Sequence, residues 1–341
     1  MPSDQKLHIG VFGAGAIGCY VGARLLASSD ARVTFVGRER LRDELARTGL
    51  AVQDFDGPRE VIEPSRFTFA TDASALKDCS VVLCCVKSQH SEDAGRSLSA
   101  VLQDGATVVS LQNGVRNPAT LRALLPKQKV LASIVTWNVI QVEGTFRRAT
   151  SGPLIIETPP PELDAALRAA KIPLEVSANL TGDQWTKLIV NLNNAVSALT
   201  DVSTGTLLLD AGYRRIVRAV VSEGVRVVKA AGIELAPWNG APIGLMPKVL
   251  ALPTFLVKLI TRRQLKVDPA ARSSMWQDLD ARRTTEIDYL NGEVVSLAAK
   301  HGTTAPVNTR IVELIRVAEK AKAGSPRMSS EALWRALSTR D

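Results

Sequence analysis

Histidine is scarce in this 341-residue chain. There are three, His8, His90 and His301, and no H-x-x-x-H pair. With no Cys/His spacing either, no metal cluster is expected. The four cysteines, Cys19, Cys79, Cys84 and Cys85, form no C-x-x-C. That excludes a disulfide framework and suits reduced core thiols and a cytoplasmic protein. Aromatic residues make up 4% of the chain. A net charge of +8 without a stacking surface does not indicate nucleic acid. Long hydrophobic runs are also missing. The most apolar late stretch, 249–260, is too short to span a bilayer and contains Pro253 and Lys258, so no membrane partner is expected. The chain enters its first strand directly, so no secretory segment is expected. No internal repeat or low-complexity tract occurs.

What is present begins at residue 7. The apolar run Ile9, Val11, Phe12 leads into Gly13-Ala14-Gly15-Ala16-Ile17-Gly18. This is the G-x-G-x-x-G spacing. Its first glycine allows a tight turn, its second lets backbone approach a pyrophosphate, and its third lets the following helix pack on the strand. The helix N-terminus then faces the phosphates. A second strand follows at 32–37, at βαβ distance. Twenty residues after Gly18 stands Arg38, where an acid would bind a ribose 2′-hydroxyl. An arginine there favours a 2′-phosphate, so the expected cofactor is NADP(H). The positive charge suits phosphates and an acidic small molecule.

Strand and helix alternate through the first half. Further strands are expected near 49–55, 67–70, 81–86, 107–111, 130–136, 145–150 and 154–157, with helices near 41–48 and 91–102. The run Val81 to Val86 is continuous, apolar and β-branched, as in a strand buried on both faces. From 177 onward the pattern is helical, with periodic segments near 181–200, 211–231, 245–260, 270–300 and 307–322. The expected fold is α/β: a Rossmann-type doubly wound domain over 1–176, an all-α domain over 177–325, and a tail over 326–341 that docks as a short helix.

Reduction of a carbonyl needs an acid near the developing alkoxide. Of the histidines, only His90 follows a strand near the expected cofactor. A better candidate lies in the run Gln184 to Asn194. On an unbroken helix, Asn191 and Asn194 project within roughly 40° of Lys187. One face would then carry an ammonium and two amides, among apolar neighbours, ready for a carboxylate and hydroxyls. The same pattern also fits a lysine snorkelling from a core helix, with its amides bonded to neighbouring helices.

Several segments together resemble the ketopantoate reductase (2-dehydropantoate 2-reductase) family. They are the glycine turn; Val86-Lys87 after a buried strand; Leu111-Gln112-Asn113-Gly114; Trp185-x-Lys187-Leu188-x-x-Asn191; and Ser273-Ser274-Met275-Trp276-Gln277-Asp278-Leu279 with Thr284-Thr285-Glu286-Ile287-Asp288. They run through both halves in the family's order, and the last is the most specific. Taken singly, Asn113 reads as turn chemistry, Ser274 as a helix cap, Glu286 as an intrahelical pair and Lys87 as a strand-end charge.

The resemblance implies that Lys187 donates the proton to a keto oxygen and that Asn113 meets both nicotinamide and substrate. Asn191 and Ser274 would bind the substrate, and Glu286 would sit near the cofactor and orient the site. Lys87 and Arg38 would serve the adenosine phosphate end, with Val139, read as a loop residue, touching cofactor through its backbone. The family's further substrate-binding asparagine falls on Ala195 here, with Asn194 one residue earlier. The seven-residue spacing to Lys187 favours Asn194. The segment 237–268 is long for the family. The implied activity is NADPH-dependent reduction of a small 2-oxo acid, 2-dehydropantoate to (R)-pantoate in pantothenate biosynthesis. The alternatives are a related reductase or dehydrogenase acting on another 2-oxo acid, and a non-catalytic NADP sensor. A homodimer through the apolar 245–260 stretch is a further expectation.

Overall fold

Alternation within single strands sets the architecture of the first half. In the strand Val81–Cys84, Val81 and Leu83 enter one apolar cluster while Val82 and Cys84 enter another. A strand whose two faces both reach core must lie inside a sheet covered on both sides. The computed structural model describes residues 6–55, 57–238, 240–261 and 272–338. The chain divides into two units, Met1–Leu180 and Thr181–Asp341.

The first unit runs β1 (His8–Phe12), α1 (Ala16–Ser28), β2 (Arg32–Val36), α2 (Glu39–Thr48), β3 (Leu50–Gln53), β4 (Arg59–Ile62), β5 (Thr68–Ala70), β6 (Val81–Cys84), α3 (Ser91–Val101), β7 (Thr107–Ser110), α4 (Asn117–Leu124), β8 (Lys129–Val135), β9 (Val139–Val142), β10 (Thr145–Arg148), β11 (Leu154–Ile156), α5 (Pro161–Ala169) and β12 (Leu174–Val176). Among the described residues, eight strands form one sheet in the order β12-β11-β8-β7-β6-β1-β2-β5. Its six strands from β5 to β8 are parallel, in the doubly wound order whose switch point lies between β1 and β6. Phe35 packs against α1, where a Cβ on Gly22 would lie 2.4 Å from its ring. The four cysteines are free. Burial pushes the Cys19, Cys79 and Cys84 thiols up to about 12, so they behave as inert apolar groups.

A second sheet, β4-β3-β10-β9, was not foreseen as a separate layer. It pairs β3 with β10 in parallel, Ala51 opposite Thr145. Arg24 of α1 ties it down through Glu60 at 2.7 Å.

The second unit runs α6 (Leu180–Asn191), α7 (Asn193–Thr200), α8 (Thr204–Leu209), α9 (Ala211–Ala230), the small hairpin β13 (Pro237–Trp238) and β14 (Ala241–Pro242), α10 (Met246–Val249), α11 (Thr254–Thr261), α12 (Ser274–Asp280), α13 (Asn291–Lys300), α14 (Pro306–Ala321) and α15 (Ser330–Ser338). The long helices expected over 181–200, 245–260 and 270–300 are each divided. The first breaks at Leu192, and the second at the turn before Pro253, where the ring removes a donor. In the third, α12 ends with Arg282 at φ +56, and Arg283 N–H donates back to Asp278 O at 2.8 Å. That six-to-one bond closes a helix C-terminus. Residues 262–271, which include part of the unusual 237–268 segment, lie outside the described residues.

Buried Glu223 on α9 accepts from Val307 N–H and Asn308 N–H, the start of α14. A carboxylate there satisfies orphan donors and opposes the positive end of the helix dipole. The C-terminal tail docks as α15, with Arg215 stacked 3.7 Å from the Trp334 ring. Among the described residues, no helix is long and apolar enough to cross a membrane, and no side-chain group could hold a metal ion.

Candidate active site

Gly13 must be glycine for two reasons. Its φ is +93, and an added Cβ would lie 2.7 Å from the backbone nitrogen of Val86. The turn after β1 therefore presses against the chain leaving β6, at the sheet's switch point. Gly13 N–H and Ala14 N–H both donate to Val36 O at 3.0 Å, which folds the turn over β2. A Cβ on Gly18 would meet Val11 at 2.8 Å, so α1 packs directly on β1. Gly15, by contrast, is exposed, and its missing Cβ would meet little beyond Gly13 O at 4.0 Å. It is the N-cap of α1, with no side-chain cap and no acid in the first turn of the helix. Gly15 N–H is taken by Gly13 O at 2.7 Å, so the donors left at the uncapped start of α1 are those of the residues that follow, beginning with Ala16 and Ile17, where a pyrophosphate would sit. The residues fit a dinucleotide.

Arg38 is exposed just past β2, as the N-cap of α2. Lys87 is half-buried and follows β6. Asn113 is half-buried after β7, and its carbonyl accepts from Ser88 Oγ at 3.0 Å and from Asn117 Nδ2. Asn117 is itself bonded to Ser88 and Ser91, and Gln112 Nε2 donates to Ser91 Oγ. The glycine turn, Lys87 and Asn113 thus share the C-terminal edge of neighbouring strands β1, β6 and β7.

Val139 is not a loop residue. It opens β9, opposite Arg148 of β10. The hairpin closes at Glu143 and Gly144, with φ of +48 and +74. Two consecutive positive-φ residues suit the right-handed twist of paired strands.

In the second unit, Lys187 projects from α6 and is half-buried. Its Nζ lies 5.3 Å from the centre of the Trp238 ring. Thr186 Oγ donates to Ala236 O at 2.8 Å, which ties α6 to the segment carrying that tryptophan. Burial pushes the Lys187 ammonium from 10.5 down to about 8. Asn191 ends α6. Because the helix breaks at Leu192, the unbroken seven-residue geometry expected for Asn194 does not hold. Asn194 is nevertheless half-buried on the first turn of α7, whereas Ala195 is 0% exposed, inside the core.

Ser274 is exposed at the first turn of α12. The cap is Ser273, not Ser274. Its Oγ accepts from Trp276 N–H at 3.1 Å and donates to Asn194 O at 3.0 Å. Ser273 therefore ties the start of α12, where Ser274 stands, to the backbone of Asn194, in the unit that carries Lys187 and Asn191. Glu286 is half-buried ahead of the turn Ile287–Tyr289 and is not part of a longer helix. Trp238 was missed. A two-residue strand carries no period, so only the length of its segment could have drawn notice.

Residues 9–161 match the family described as ketopantoate reductase PanE/ApbA, and residues 179–319 match its C-terminal counterpart. A 2-dehydropantoate 2-reductase of Halobacterium salinarum is 31% identical over 330 residues, which cover 92% of this chain and 99% of that protein. One of Pyrococcus horikoshii is 28% identical over 94% of this chain and 100% of that one. The crystal structure of a PanE/ApbA family ketopantoate reductase from Ralstonia eutropha superposes with a TM-score of 0.79 at 32% identity, covering 93% of this chain and 99% of that one. A D-mandelate dehydrogenase structure with NADH and anilino(oxo)acetate shares the fold, at a TM-score of 0.75 and 20% identity, over 93% and 99% of the two chains. With both halves matched in order, and a relative above 30% identity along nearly its whole length, the chain is an oxidoreductase that belongs to the ketopantoate reductase family.

Proposed function

We propose that this enzyme reduces a 2-oxo acid with NADPH, 2-dehydropantoate to (R)-pantoate first among them, in cytoplasmic pantothenate biosynthesis. The observation that carries the reading is the Lys187 ammonium, half-buried on α6 with its Nζ 5.3 Å from the centre of the Trp238 ring and pushed by burial down to about 8. An acid with that pKa is mostly protonated at pH 7 and gives up its proton more readily than an ordinary lysine. NADPH bound at the glycine turn would supply the hydride to the oxo carbon. Lys187 then donates its proton to the oxygen, which leaves a hydroxy acid and a neutral amine that regains a proton from water.

The remaining residues take supporting roles. Gly13, Ala14, Gly15, Ala16, Ile17 and Gly18 cradle the pyrophosphate, Arg38 and Lys87 hold the 2′-phosphate end, and Val139 offers backbone. Asn113 serves nicotinamide and substrate. Asn191, Asn194 and Ser274 bind the carboxylate and hydroxyls, and Glu286 orients the site. Asn194 is preferred to Ala195 because a side chain within the core cannot reach a ligand. A second copy of the chain would dock on α11, whose Phe255, Leu259 and Ile260 are exposed. One structural relative, of Staphylococcus aureus, is a dimeric ketopantoate reductase.

A second reading keeps the chemistry and changes the acid. It is favoured by Trp238, an indole face beside the proton donor that suits a flat or branched apolar substituent. The deciding experiment is NADPH oxidation with 2-dehydropantoate and a panel of branched and aryl 2-oxo acids. Preference for 2-dehydropantoate supports the first reading. Preference for an unhydroxylated acid moves the assignment to the second. Binding of NADPH without turnover of any acid would leave a sensor.

A further inference from the structure

A lysine stem has four carbons and freely rotating bonds, so its charge is poorly located unless something holds it. A general acid, however, must lie within hydrogen-bond reach of its target in a set geometry. Among the described residues, the one side chain that engages Lys187 Nζ is Trp238, at 5.3 Å from the ring centre. Indole is the strongest of the aromatic faces for a cation, and more so where water is excluded.

The position of that ring is itself fixed. Trp238 lies in a hairpin where Pro237 faces Pro242 and Trp238 faces Ala241. Prolines at both ends limit its backbone to a narrow range. The bond from Thr186 Oγ to Ala236 O fastens the hairpin's entry to the residue just before Lys187. One turn of α6 thus holds both the ammonium and the ring that faces it.

Among the described residues, no charge shifts the Lys187 ammonium. Burial is the cause of the Lys187 shift, with no contribution from Asp183 on α6 or Glu234 before the hairpin. Helix α9 passes the end of α6, where a Cβ on Gly224 would lie 2.7 Å from Leu192 and 3.8 Å from Ile189. Of its charged groups, Glu223 bonds the start of α14, Arg226 bonds Thr303 and Thr304, and Lys229 Nζ lies by Gly244, past the hairpin.

We infer that Trp238 is a positioning residue for Lys187: its indole face holds the ammonium in place until a substrate oxygen takes over as partner. The inference rests on the reading of Lys187 as proton donor.

The test uses the full-length enzyme with Trp238→Phe, Trp238→Leu and Lys187→Met, and reads tryptophan emission against pH as well as turnover. The chain has five tryptophans, so the Trp238 signal is the difference from Trp238→Phe. That difference is expected to titrate near pH 8 and to lose its midpoint in Lys187→Met. In turnover with NADPH and the preferred 2-oxo acid, Trp238→Leu is expected to lose about tenfold in kcat, with KM within about threefold. Trp238→Phe, which keeps a ring, recovers most of the loss. An emission midpoint that survives in Lys187→Met, or an unchanged kcat in Trp238→Leu, would overturn the inference. So would a loss confined to KM, since the ring would then touch substrate and not the lysine. Full turnover in Lys187→Met would remove the proton-donor reading itself, and the emission titration would separate a real contact with an idle lysine from no contact.

Discussion

Ser273 Oγ donates to the backbone carbonyl of Asn194 at 3.0 Å while accepting from Trp276 N–H. One hydroxyl therefore caps α12 and fastens it to the first turn of α7. The neighbouring Ser274 is exposed and bears neither duty. The two serines should separate on substitution. Ser273→Ala is expected to cost about 1–2 kcal/mol of stability, from a lost cap and an unpaired partner. Ser274→Ala should leave the unfolding midpoint nearly unchanged and raise KM for the oxo acid by about tenfold or more. Denaturant unfolding and steady-state kinetics on the two variants check this. Equal destabilisation by both would remove the distinction.

Cofactor choice is expected to turn on Arg38. It stands exposed at the end of β2, the position from which a side chain reaches the ribose. Arg38→Asp replaces a guanidinium that attracts a phosphate with a carboxylate that repels one. NADPH should lose affinity by about two orders of magnitude, while NADH holds or improves. An unchanged ratio of kcat/KM for the two cofactors would pass the role to Lys87 or to backbone.

The Lys187 shift has a consequence for turnover and one for folding. Reduction needs the ammonium, so kcat should fall as pH rises through about 8, and oxidation of the hydroxy acid should rise over the same range. For folding, the native pKa lies below the unfolded value of 10.5. Below about pH 8 both states carry the proton, and the native state bears the full cost of burying it. Between 8 and 10.5 the unfolded chain binds more protons, so stability climbs with pH. Lys187→Met should therefore be more stable than the parent at pH 7, by roughly 1–3 kcal/mol, and the advantage should shrink by pH 10. Unfolding midpoints at the two pH values read it directly.

The sequence disclosed those parts of the fold that local chemistry decides. The glycine turn and strand β6 were readable because their residue types suit one conformation each. Strand β6 sends Val81 and Leu83 to one face and Val82 and Cys84 to the other. The second sheet was not, since it joins Ala51 to Thr145 across most of the unit. The break at Leu192 carries neither glycine nor proline. The one after Asp280 depends on an arginine at positive φ and on Thr285 N–H reaching Glu319 at 2.7 Å, a bond made only once α14 is in place. For the candidate site, local pattern pointed to Lys187 and its amides. Resemblance was needed for Ser274 and Glu286. Trp238, and the capping role of Ser273, came only with the three-dimensional structure.

The last prediction concerns a residue with no expected role of its own. Asn117 is 1% exposed, and its amide is fully used. Nδ2 donates to Asn113 O and to Ser88 Oγ, and Oδ1 accepts from Ser91 Oγ at 2.8 Å. Ser88 Oγ in turn donates to the same Asn113 carbonyl. The network fixes the backbone at Asn113, just before Gly114 at φ +86. Asn117→Ala would strip three buried partners at once, a loss of about 2–4 kcal/mol. If the network serves the site as well as the fold, KM for NADPH should rise and kcat fall by several-fold, at a temperature where the variant stays folded. Asn113→Ala, which keeps the carbonyl and its bonds, should reproduce the kinetic loss with less than about 1 kcal/mol of destabilisation. Normal kinetics in a destabilised Asn117→Ala would confine the network to folding, because the loop would then hold Asn113 in place without it.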